Sequence, residues 1–113
     1  MPAFGSVTST QDVNKNTSSN PTPGSTVSID ATLGNLFKWT AGENETVNVT
    51  AGQLAGRDIT LLISNDGILA RTITLGTGFV GIGAIVGTVN KTVALRFQSD
   101  GTNFYELSRT LLL

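Results

Sequence analysis

The sequence predicts an all-β protein, an antiparallel β-sandwich or small jelly-roll-like barrel of about seven or eight short strands. Two observations carry this. Runs of five to eight residues alternate apolar and polar side chains, and Gly, Asn and Asp cut them at close spacing. In addition, no window carries the apolar stripe of period 3.6, with caps, that a helix needs. At 113 residues the chain has the size of one domain.

The strands follow in order from Val27. Val27-Ser28-Ile29-Asp30-Ala31 alternates as a half-buried strand does, and Leu36-Phe37-Lys38-Trp39-Thr40 follows Gly34. Thr46-Val47-Asn48-Val49-Thr50 ends at Ala51-Gly52, and Ile59 to Ser64 begins after Gly56-Arg57-Asp58. The turn Asn65-Asp66-Gly67 leads to Arg71-Thr72-Ile73-Thr74-Leu75. The strongest strand is Thr92 to Ser99, with Val93, Leu95 and Phe97 on one face. Asp100-Gly101 predicts a type I′ hairpin to the returning strand, Asn103 to Arg109.

Before Val27 the composition is different. Residues 6–26 are almost entirely Ser, Thr, Asn, Gln, Pro and Gly, so they have little apolar area to offset the entropy of ordering. The expected division is a polar N-terminal arm, 1–26, and a β-sandwich domain, 27–113. Pro2, Pro21 and Pro23 bias the arm toward extended conformations suited to lying on a neighbour. Phe4 is the side chain able to fill a pocket, with Val7 and Val13 as lesser contacts.

Charge and composition exclude several kinds of function. Charged residues make up 13% of the chain and its net charge is -1. The Lys and Arg side chains are scattered singly, so neither nucleic acid nor an anionic membrane is an expected partner. The chain has no Cys and no His, which removes disulfides, ordinary zinc sites and the commonest general base. The N-terminus lacks the basic start and apolar run of a signal peptide, and no stretch has the length to span a bilayer as a helix. No cofactor, metal or catalytic residue is expected.

Several motifs lose their functional meaning in context. Gly76-Thr77-Gly78-Phe79-Val80-Gly81 spells the dinucleotide fingerprint. The glycine-rich residues after it make a poor helix, so a phosphate would meet no helix N-terminus. An apolar loop or irregular strand is expected there, with Phe79, Val80, Ile82, Ile85 and Val86 either in the core or buried against another chain. Glu43 and Glu45 fall in a turn region, and Asp66 and Asp100 occupy hairpin positions that Asp fills for backbone reasons. Asn-x-Thr/Ser matches at Asn16, Asn44, Asn48 and Asn90 are expected by chance in so Asn- and Thr-rich a chain. Trp39, Tyr105, Phe104 and Phe37 are expected in the core rather than on a sugar-stacking platform.

The run Phe97-Gln98-Ser99-Asp100-Gly101-Thr102-Asn103-Phe104-Tyr105-Glu106-Leu107-Ser108-Arg109 resembles a hairpin that recurs in structural proteins of tailed bacteriophages. Ile29-Asp30-Ala31-Thr32-Leu33-Gly34-Asn35 to Phe37 is similar to the opening of the same modules. Such modules occur as capsid decoration (cement) proteins, head fibres and tail-fibre tips, often as trimers. The resemblance implies a virion structural protein, made in the bacterial cytoplasm and bound to the outer capsid surface, with the major capsid protein as partner. The alternative is a receptor- or carbohydrate-binding fibre tip. A homotrimer is expected, because the core is small and Leu111, Leu112 and Leu113 form an apolar end. Burying those three side chains contributes at most roughly 4–9 kcal/mol.

Overall fold

The computed structural model describes residues 17–81 and 83–112. They form ten strands and no helix: β1 (Ser18–Ser19), β2 (Thr26–Asp30), β3 (Leu36–Ala41), β4 (Glu45–Ala51), β5 (Asp58–Asn65), β6 (Thr72–Leu75), β7 (Phe79–Val80), β8 (Ile85–Val86), β9 (Thr92–Ser99) and β10 (Phe104–Leu112). One sheet has the order β1-β3-β5-β9-β10-β7 and the other β2-β4-β6-β8.

The all-β expectation holds, but the sandwich or jelly-roll-like barrel does not. The first six strands alternate between the two sheets, and each of β1 to β4 pairs in parallel with the strand two places on. This is a β-solenoid of about three turns. Thr26 lies beside Thr46 and Thr46 beside Thr74, while Ser18 lies beside Leu36 and Leu36 beside Thr60. The physical reason for the difference is connectivity. A strand with one face wet and one dry has the same alternation whether its successor folds back beside it or crosses to the facing sheet.

Coiling stacks the buried side chains in columns between the sheets. Phe37, Leu61 and Leu95 line up across β3, β5 and β9, and Trp39, Ile63 and Val93 form the next column. Val27 meets Val47, and Ile29 meets Val49, on the opposite sheet. Outward positions carry Lys38, Thr40, Thr50 and Gln98, which leave the surface polar with little charge. β1 falls within the stretch whose composition suggests an arm. Its preceding residue, Thr17, accepts backbone hydrogen bonds from Asn35 (3.0 Å) and Leu36 (3.3 Å), tying it to the second turn.

The last elements interrupt the parallel coil: β8 runs antiparallel to β6, β9 runs antiparallel to both β5 and β10, and β7 pairs in parallel with the start of β10. Phe79 packs on Phe97 with ring centroids 4.8 Å apart, and Phe79 and Ile85 join the core while Val80 and Val86 stay exposed. Ile82 lies outside the described residues. The β9–β10 hairpin forms, but its turn is not type I′. Ser99 pairs with Phe104, so four residues, Asp100 to Asn103, make the loop. Gly101 has a φ of 103°, whereas Asp100 keeps the ordinary negative φ. The Asp100 carboxylate accepts the N–H groups of Thr102 (2.9 Å) and Asn103 (3.0 Å), an Asx-type closure that replaces the expected pair of left-handed residues.

Gly34 tests the stacking directly. A Cβ there would meet the Thr17 carbonyl oxygen, which Asn35 and Leu36 already hold in place. Gly34→Ala should therefore destabilise the fold by about 1–3 kcal/mol, lowering Tm by at least about 4 °C. Gly24→Ala, whose Cβ would have its nearest contact at 3.8 Å, should leave Tm nearly unchanged in the same thermal scan.

Candidate functional site

The first turn of the coil borders an open concave surface. Alternation along β3 turns Phe37, Trp39 and Ala41 inward and Lys38 and Thr40 outward. Once buried, the Trp39 indole N–H needs an acceptor, because an unpaired buried donor costs about 1–3 kcal/mol. Glu45, which opens β4, supplies it: Trp39 Nε1 donates to Glu45 Oε1 at 2.8 Å. The other carboxylate oxygen, Oε2, accepts the Gly24 N–H at 3.4 Å. One carboxylate thus joins the β1–β2 connection to β3 and β4.

Glu45 is 3% exposed. Burial raises its pKa above the ordinary value of 4.5, although the bonds from Trp39 and Gly24 pull it down; the nearby Glu43 charge adds to the rise. Holding this group ionised therefore costs free energy in the folded state.

Outside this network lies an open groove of about 630 Å³ on the outer face of the six-stranded sheet. Pro21 and Pro23 wall one side, and Lys38, Thr40, Leu62 and Ser64 from β3 and β5 line the other. Lys38 is the charged residue along it. Beyond Ser19, β3 has no strand on its outer side among the described residues, so the groove runs along an open sheet edge. Its chemistry is that of a surface for an extended, largely uncharged chain. A smaller hollow of about 300 Å³ lies among Leu75, Phe79, Val80, Gly81 and Ala84 at the closing end.

Asp30, Asp66, Asp100 and Glu106 hold the backbone or an Arg. Asp30 accepts from the Thr32 N–H at 2.9 Å, and Asp66 pairs with Arg71 at 2.7 Å. Glu106 pairs with Arg109 at 2.6 Å. Buried Asn65 fixes the β5–β6 corner, donating to Leu69 O at 2.6 Å and accepting from Arg71 N at 2.7 Å. Among the described residues no group of three or more acidic side chains is placed to hold a metal ion.

Of the expected contact residues, Phe4, Val7, Val13 and Leu113 lie outside the described residues. Leu111 is 48% exposed on β10, and Leu112 ends that strand. Phe37, Trp39 and Phe104 are core residues, and Tyr105 is 40% exposed, so these aromatics form no common platform. The sequence reasoning missed Glu45, taking it for a solvated turn carboxylate. The signal was present, since Glu45, Val47 and Val49 share one face of an alternating run.

The direction of the Glu45 shift fixes a pH dependence. A carboxyl whose folded pKa lies above the unfolded one contributes its stability below the unfolded value, and that contribution is lost as pH rises through the folded value. From pH 7 down to 4, wild type should therefore gain stability relative to Glu45→Gln in urea titrations. A relative loss on acidification would mean that the hydrogen bonds outweigh burial. Glu45→Ala, which orphans the Trp39 and Gly24 donors, should cost about 1–3 kcal/mol at neutral pH.

Compared with known proteins, the chain matches no family model, no curated protein and no solved structure.

Proposed function

We propose that this chain is a non-catalytic structural protein of a tailed-bacteriophage virion, a decoration (cement) module that binds the outer surface of the capsid shell. The observation that carries the reading is the asymmetry of the coil. Toward its C-terminal end antiparallel strands interrupt the parallel coil, while among the described residues its first turn is reduced to the two residues of β1 and the five of β2 beside an open groove. Solenoid ends that meet solvent are usually capped, and an uncapped turn is suited to abutting another protein. The resemblance of Phe97 to Arg109 to phage hairpins supports the same class. In this reading the major capsid protein lies against the first turn, and Phe4, Val7 and Val13 add contacts from the segment ahead of it.

A second reading is the tip of a phage fibre. The open first turn favours it, because a preceding coil stacked there would continue the parallel sheets. Burial of Trp39 against Glu45 weighs against a carbohydrate site built on that ring.

Co-sedimentation of the purified protein with undecorated capsids tests the proposal. Deleting residues 2–16 should leave Tm within a few degrees and weaken capsid binding at least tenfold, about 1.4 kcal/mol. Phe4→Ala should reproduce part of that loss. Binding confined to fibres or host cells would favour the second reading, and binding to neither would remove both.

A further inference from the structure

β10 is the longest strand, and most of its outer edge is bare. β7 pairs only with Phe104 and Tyr105, so from Leu107 to Leu112 no described strand lies on that side. The direction of the free backbone groups follows from the ladder. Ser99 N–H donates to Arg57 O on the β5 side at 2.9 Å, so alternate residues of β9 (Phe97, Leu95, Val93) also face β5. Arg96, Ala94 and Thr92 then face β10, where they pair with Ser108, Thr110 and Leu112. That leaves the N–H and C=O groups of Arg109 and Leu111 pointing away from the sheet.

Among the described residues this edge is lightly guarded toward its C-terminal end. Natural sheets blunt exposed edges with short strands, charges, Pro or bulges. β1, β7 and β8 have two residues each, Pro21 and Pro23 follow β1, and β2 ends at the acidic Asp30. Beyond a bulge at Leu107, β10 from Ser108 to Leu112 has no Pro and no unbalanced charge, because Arg109 is neutralised by Glu106 at 2.6 Å and its guanidinium is also held by the carbonyls of Gly83 and Ala84 at 3.1 Å. Leu107 and Leu111 beside it are 54% and 48% exposed.

We infer that the chain self-associates through β10, pairing antiparallel with β10 of a second copy across a two-fold axis at Thr110 to form one continuous sheet. In this register Arg109 exchanges both backbone hydrogen bonds with Leu111 of the second copy, and the reverse holds across the axis. The two Thr110 side chains meet in a non-hydrogen-bonded pair on the outer face, where Thr–Thr contacts are favourable. Ser108 stands opposite Leu112, so no like charges face each other. A register centred one residue earlier would place Arg109 against Arg109. Charge balance and the self-complementary edge thus favour a second copy over a foreign strand, and a two-fold assembly over the expected homotrimer.

Sedimentation equilibrium of the full chain at concentrations up to about 100 μM gives the first test. A species of twice 11.8 kDa is expected; a monomer throughout, or a trimer, overturns the inference. Leu111→Pro removes an N–H that the fold does not use and should weaken dimerisation at least about tenfold. An undiminished dimer with this substitution places the interface elsewhere. Because Leu111→Pro has the potential to disturb folding, cross-linking supplies an independent test. The chain has no native Cys, so oxidised Thr110→Cys should run as a disulfide-linked dimer while Ser28→Cys, on the other sheet, should not. Equal cross-linking at both positions, or none at Thr110→Cys, overturns the inference.

Discussion

In-register stacking of successive coils is the constraint on which everything else in this molecule depends. A single turn, such as β2 with β3, has an apolar face that it cannot bury alone; it becomes dry only when the next turn lies on it in the same register. The columns Phe37–Leu61–Leu95 and Trp39–Ile63–Val93 are the result, and a shift of one residue would turn each of them to solvent. Large, fully buried side chains in these columns, each contributing roughly 1.5–3 kcal/mol on burial, substitute for the disulfides or metal that a small domain often needs.

That constraint also explains the polar residues inside. Where a coil turns from one sheet to the other, its backbone groups lose their strand partners, and side chains replace them: Asn65 at the β5–β6 corner, Asn44 accepting from Thr72 N at 2.9 Å, and Asn48 accepting from Thr77 N at 2.7 Å. Glu45 performs the same service at the first turn, with a larger desolvation cost because it is ionisable. The two ends then differ by necessity. Antiparallel strands interrupt the parallel stacking on one side, while among the described residues the first turn keeps an open edge.

Much of the secondary structure was legible in the sequence. The seven longer strands follow from alternation and turn residues, because a half-wet strand must alternate. The topology was not, since alternation does not say where the next strand goes. One signal did say so. Thr26-Val27-Ser28-Ile29-Asp30-Ala31 and Thr46-Val47-Asn48-Val49-Thr50-Ala51 are near-copies, and they lie side by side in the structure. A repeat of that length is what a coil produces. It fades in the third turn, where Thr74 and Leu75 continue the columns but Gly76 ends them, because the closing strands begin there. β1 was missed, and β7 and β8 were expected only as an apolar loop or irregular strand, because two residues are too few to show a period. The groove was hidden for a similar reason: its walls come from Pro21 and Pro23, in a stretch whose composition shows only polarity, and from outward residues of two separate turns.

Cross-strand nuclear Overhauser effects on the isotope-labelled full chain test the coil most directly. Parallel stacking predicts contacts between Val27 and Val47 and between Phe37 and Leu61, the pattern of in-register neighbours one turn apart. Short Hα–Hα contacts between residues of β2 and β3, the mark of an antiparallel hairpin, would contradict the solenoid.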